Sequence, residues 1–145
     1  MSDIAHMQRA LALAAPMAGR TGENPAVGCV VVKGGATIGE AATGAGGRPH
    51  AEEAALAQAG AKARGAIVYL TLEPCNQRSG GGPSCTDLLI ASGVGRVVIA
   101  TGDPHPLAAG KGIERLQSVG VKVELGLCEG EARAQNAPFL DRWKS

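Results

Sequence analysis

The sequence predicts a layered α/β domain, a sheet covered by helices on both faces, and three observations carry that prediction. Apolar runs of strand length alternate with helix-patterned segments along the chain. Glycine, proline or asparagine punctuates the boundaries between them. The 145 residues contain neither an internal repeat nor a linker-like stretch, so they read as one domain spanning 1–145.

The elements follow in order. Asp3 can cap a helix over residues 4–18, on which Ile4, Met7, Leu11 and Met17 form one apolar stripe. Thr21-Gly22-Glu23-Asn24-Pro25 breaks it. Ala26 to Val32 (AVGCVVV) reads as a buried strand, and Gly34-Gly35 as the turn into a second strand, Thr37 to Ala42. The glycine-rich stretch Gly44 to Arg48 leads through Pro49 to a helix from His50 to Ala59, which Gly60 ends. Ala66 to Leu72 is a strand and Glu73 to Ser84 a loop. Cys85 opens a helix running to Ala91 that stops near Gly93. Val94 to Thr101 is a strand, Gly112 to Ser118 a helix, Val121 to Leu127 a strand and Glu129 to Ala137 a last helix.

Composition excludes several classes of function. Fourteen Lys and Arg against 13 Asp and Glu give no surface suited to duplex nucleic acid. One Tyr (Tyr69), one Phe (Phe139) and one Trp (Trp143) are too few to stack the bases of a single strand. No nucleic-acid partner is expected, although a small nucleotide fits the composition. The chain shows no signal peptide and no apolar run of membrane-spanning length, and its opening MSDIAHMQRALALAAP interleaves polar and apolar residues. A cytoplasmic, reducing setting is therefore expected. There the four cysteines (Cys29, Cys75, Cys85 and Cys128) point to metal rather than disulfides.

The chemistry concentrates in His50-Ala-Glu52, Pro74-Cys75 and Cys85. One imidazole and two thiolates hold a zinc ion with the fourth tetrahedral position open, as catalytic rather than structural sites do. A carboxylate two residues past the histidine reaches the open position instead of the ion. A histidine, a non-ligating glutamate and cysteines introduced by proline form the zinc-deaminase signature. The predicted helix starts would favour thiolates through their free N–H groups. The competing reading is a structural zinc, which wants a fourth protein ligand. Cys29 lies inside an apolar strand and reads as core, and Cys128, past a strand end, reads as inert. Nine residues separate Cys75 from Cys85, where the common form of the signature has two.

Further motifs surround these. Asn24-Pro25-Ala26-Val27-Gly28-Cys29-Val30-Val31-Val32, Pro49-His50-Ala51-Glu52, Thr71-Leu72-Glu73-Pro74-Cys75, Asp103-Pro104 and Ala109-Gly110-Lys111-Gly112-Ile113 occur in that order, followed by Glu131-Ala132, Asn136 and Phe139. On these residues the chain resembles, over nearly its whole length, the pyrimidine deaminase domain of riboflavin biosynthesis in the cytidine deaminase-like superfamily. The resemblance implies a three-layer α/β/α sandwich with a mixed, roughly five-stranded sheet. It also implies one zinc ion per chain on His50, Cys75 and Cys85, Glu52 as the proton shuttle, and substrate contacts from Asn24 and Asp103. Turn chemistry alone would also account for Asn24-Pro25 and Asp103-Pro104.

The departures fall together. Thr43 and Gln77 stand where that family usually has histidines, and His105 where it has asparagine. The loop between the cysteines, NQRSGGGPS from Asn76 to Ser84, is one residue longer than usual and centred on three glycines. In the family these positions line the ribose and phosphate part of the pocket, so Thr43, Gln77 and His105 are candidate substrate contacts. Arg78 could supply a lost phosphate donor, with Lys111 and Arg48 as further candidates, although a surface role suits all three.

The expected function is zinc-dependent hydrolytic deamination of an amino-substituted pyrimidine or related heterocycle. The riboflavin-pathway ribotide competes with an unphosphorylated base or nucleoside of cytosine or guanine type. A deaminase acting on tRNA is a weaker alternative, and a zinc-stabilised binding module without catalysis is the alternative from another class. The resemblance further implies a homo-oligomer, dimer or tetramer, and a separate reductase, because the chain ends at Asp141-Arg142-Trp143-Lys144-Ser145 without one. The lack of a spanning apolar run leaves no membrane partner expected.

Overall fold

The computed structural model describes residues 2–22, 24–75, 83–102 and 110–137. Five strands, β1 (Gly28–Lys33), β2 (Ala36–Ala42), β3 (Ile67–Leu72), β4 (Arg96–Thr101) and β5 (Lys122–Leu125), form one sheet in the order β2-β1-β3-β4-β5. β1 runs antiparallel to β2 and β3, whereas β3, β4 and β5 are parallel. The helices are α1 (Asp3–Ala14), α2 (Ala51–Ala59), α3 (Cys85–Ser92), α4 (Lys111–Ser118) and α5 (Glu129–Gln135). This is the mixed-sheet α/β/α sandwich that the sequence predicts.

Strand alternation divides the core into two layers. Cys29 and Val31, Val68 and Leu70, and Val97 and Ile99 face α2, α3 and α4. Val30 and Val32, Tyr69, and Val98 and Ala100 face α1 and α5. Where β1 passes under α1, a methyl group on Gly28 would overlap the Ala10 carbonyl. That neighbour is helix backbone and cannot rotate away. Gly28→Ala is therefore expected to cost about 3 kcal/mol and to lower the unfolding temperature by about 10 °C, as read by calorimetry.

Several boundaries move, each for a local reason. The first helix ends at Ala14 and continues only as a 3₁₀ turn, Ala15–Met17, because Pro16 has no N–H to extend the ladder. Ser2, not Asp3, is its cap, accepting from Ala5 N–H at 3.2 Å. Ala26 and Val27 precede β1 rather than belonging to it. β4 begins at Arg96, and β5 stops at Leu125, before Gly126 with φ +112°.

Asp3, freed from capping, ties α1 to the sheet it packs on. Its carboxylate accepts from Tyr69 Oη at 2.5 Å and from both terminal nitrogens of Arg96 at 2.7 and 3.1 Å. Arg96 also binds Glu124 on β5. Arg96 and then Tyr69, by hydrogen bonding, hold the Asp3 carboxyl down to about 2, against 3.8 ordinarily. A depressed folded-state value stabilises the fold fully above about pH 4, and the contribution is lost as pH falls through 2. Asp3→Asn is expected to flatten that acid loss by under about 1 kcal/mol in urea unfolding, a limit set by the 40% exposure of the carboxylate.

Candidate active site

The site lies at the carboxyl ends of β3 and β4, where α2 and α3 begin. His50 is the cap of α2, and Glu53 Oε1 accepts from its backbone N–H at 3.2 Å, which fixes the entry of the chain into the helix. The second residue of α2, Glu52, is carried inward, 4% exposed. Ser84 and Asp87 cap α3 reciprocally, at 3.1 and 2.8 Å, and Arg115 pairs with Asp87. Cys85 is thereby set as the first residue of α3. Cys75 lies on the loop after β3 rather than on a helix. Its carbonyl accepts from Thr86 N–H at 3.0 Å and Thr86 Oγ1 at 2.8 Å, and its sulfur accepts from Cys85 N–H at 3.2 Å. The predicted favour of a helix start for a thiolate is thus realised across the loop.

His50 Nδ1 stands 3.2 Å from Cys85 Sγ and 3.9 Å from Cys75 Sγ, and all three donor atoms lie within 4.8 Å of one another. Zinc bonds of about 2.1 Å to nitrogen and 2.3 Å to sulfur at tetrahedral angles would separate such donors by about 3.5–3.8 Å. The donor set and its spacing fit zinc. This is the only such cluster among the described residues. A hydrogen bond from Cys85 stabilises the Cys75 thiolate and pulls its pKa down, with His50 adding to this, while the same bond and burial push Cys85 up.

A pocket of about 160 Å³ opens beside the triangle, lined by Asn24, Pro25, Val27, Thr43, His50, Glu52, Leu72, Glu73 and Cys75. Burial raises the Glu52 carboxyl to about 7, the nearby Cys75 adding to the rise. Of the sequence-predicted residues, His50, Glu52, Cys75, Cys85, Asn24 and Thr43 come together here. Asn24 Nδ2 donates to Gly47 O at 3.3 Å, and Thr43 Oγ1 accepts from Val27 N–H at 3.0 Å, so Thr43 supports the wall with its hydroxyl. Gln77, Arg78, Asp103 and His105 lie outside the described residues. Arg48 and Lys111 are exposed.

Sequence reasoning passed over Glu73, a second buried carboxylate in the lining, 5% exposed, whose Oε1 accepts from Gly110 N–H at 3.1 Å. An acidic residue continuing the apolar run of β3 directly into Pro74-Cys75 was the available signal. Cys29 is fully buried in the apolar layer, its thiol pushed up well above the ordinary range by that burial.

Known proteins resemble this arrangement. A family profile described as the cytidine and deoxycytidylate deaminase zinc-binding region matches residues 1–101. The riboflavin biosynthesis protein RibD of Aquifex aeolicus is 51% identical over 135 residues, covering 93% of this chain and 38% of that protein. The diaminohydroxyphosphoribosylamino-pyrimidine deaminase of Buchnera aphidicola is 43% identical over 145 residues, covering all of this chain and 98% of that protein. In structure, Acinetobacter baumannii RibD superposes with a TM-score of 0.93 at 45% identity, over 97% of this chain and 39% of that one. The chain thus spans about two fifths of the RibD proteins.

Proposed function

The chain belongs to the cytidine and deoxycytidylate deaminase zinc-binding family, and from that membership we propose that it deaminates the diaminopyrimidinone ribotide of riboflavin synthesis. The observation that carries the chemistry is a His-Cys-Cys donor triangle that presents His50 and Cys75 to a pocket also lined by the buried Glu52 carboxylate. The substrate is supported by the Buchnera relative, which matches end to end. A binding module without catalysis would have no use for Glu52 in that pocket.

His50 Nδ1, Cys75 Sγ and Cys85 Sγ would hold zinc, one per chain, which when bound supplies the Lewis acidity that makes water nucleophilic near neutral pH. The remaining work falls to this chain's own groups. Water adds its oxygen to the amine-bearing ring carbon, and the carbon–nitrogen bond then breaks to leave a carbonyl and ammonia. Glu52 takes a proton from the water and gives it to the ring nitrogen. It then takes the second proton from the added hydroxyl as the carbonyl forms and passes it to the departing amine. A carboxyl raised to about 7 is suited to both directions. The wall from Asn24 to Val27, with Leu72 also in the lining, orients the ring and excludes bulk water. The cavity is smaller than the roughly 300–1,000 Å³ of drug-sized sites, so it suits one heterocycle with any ribose phosphate outside. Asp103, Gln77, Arg78 and His105 are our candidates for that outer part.

The proposal includes a reductase acting on the product, a cytoplasmic setting, and assembly as a dimer or tetramer. Free cysteines throughout support the setting, and no helix among the described residues is long and apolar enough to cross a membrane. The test is ammonia release by zinc-loaded protein with the ribotide against cytosine, guanine and their ribosides. Turnover of the ribotide alone is expected. Turnover of a free base or nucleoside only would instead make Thr43, Gln77 and His105 the marks of a changed specificity.

A further inference from the structure

Ala26 is buried, 1% exposed, and sits between Pro25 and Val27, both in the pocket wall. Its backbone finds partners on a side chain 110 residues away. Asn136 Oδ1 accepts from Ala26 N–H at 3.0 Å, and Asn136 Nδ2 donates to Ala26 O at 2.8 Å. The side-chain amide thus gives Ala26 both bonds that a neighbouring strand would give. Asn136 is itself 6% exposed and closes the carboxyl end of α5, whose Ala132 packs in the opposite core layer. The rest of the wall is held nearer by: Thr21 Oγ1 donates to Asn24 O at 2.6 Å, and Thr43 secures Val27.

We propose that Asn136 is a positioning residue for substrate, acting through Ala26 on the wall from Asn24 to Val27 while touching neither substrate nor zinc. Without it, the centre of the wall has a buried N–H and C=O with no partner, and the chain must shift to find water. The wall then loses the register that orients the ring, while the donor triangle and Glu52, on other elements, stay in place.

The test uses zinc-loaded Asn136→Ala. KM for the ribotide should rise about tenfold with kcat within about threefold and zinc content unchanged. Hydrogen exchange should quicken at the Ala26 and Val27 amides while Cys29–Val32 and Val68–Leu70 keep their protection. Unchanged exchange and KM would overturn the proposal, as would protection lost uniformly across the sheet, which marks a general prop. Asn136→Asp retains the size and the acceptor but has no N–H to give, so it should move the same readings if the alanine variant does not fold. The kinetic reading rests on the proposed deaminase activity, whereas the exchange reading does not. A wild-type protein inert toward the ribotide would therefore count against that activity, and exchange alone would decide the role of Asn136.

Discussion

Glu52→Gln is expected to lower kcat for ammonia release by about 10²–10⁴-fold while zinc content and unfolding temperature stay at wild-type levels. The amide has the shape of the carboxyl group and can still hydrogen-bond, but it cannot accept and return a proton. Glu52 is not itself a donor to the ion, because the three donors are His50, Cys75 and Cys85, and an amide can still hydrogen-bond to its neighbour Cys85. Stability should not fall either. Glu52 is 4% exposed, and burial is the leading cause of its raised pKa, so a neutral side chain there relieves a cost rather than adding one. Steady-state ammonia assays, metal analysis and calorimetry read the three quantities. Turnover near the wild-type rate would remove Glu52 from the proton path and leave Glu73, the other buried carboxylate in the lining, as the group to test next.

What could be read in the sequence was what is written locally. His50-Ala-Glu52 declares itself because two residues on one helix start fix a histidine and a carboxylate in one neighbourhood. Pro74-Cys75 and Cys85 do so because thiols beside a strand end and a helix start have few other uses in a reducing setting. The buried strands β1, β3 and β4 are equally legible, since each is a mainly apolar stretch of strand length bounded by turn residues. What was hidden depends on partners remote in sequence. Asp3 looks like a cap until Tyr69 and Arg96 claim its carboxylate, leaving the cap to Ser2. Ala26 looks like strand until Asn136 supplies the bonds that would have come from a ladder. The Gly34-Gly35 turn announces β2 beside β1, but the antiparallel pairing of β1 with β3 on its other edge is likewise something no single segment encodes.

The four cysteines turn the metal assignment into a sharp contrast. Cys85→Ser is expected to reduce bound zinc from one per chain to under about a tenth and to abolish ammonia release, because an ion with one imidazole and one thiolate left has too few ligands to be retained. Cys75→Ser should do the same, and adding zinc should restore neither. Cys29→Ala should keep full zinc and activity, because that sulfur points into the apolar layer among strand and helix side chains and burial holds its proton. Stability supplies an independent reading. Zinc at a thousandfold above its Kd stabilises a folded protein that alone binds it by about 4 kcal/mol. Chelation should therefore lower the unfolding temperature of the wild type and of Cys29→Ala but scarcely alter that of Cys85→Ser. Full zinc occupancy in Cys85→Ser would mean that the ion sits elsewhere, and the open coordination position on which the deaminase chemistry depends would have to be sought at another set of donors.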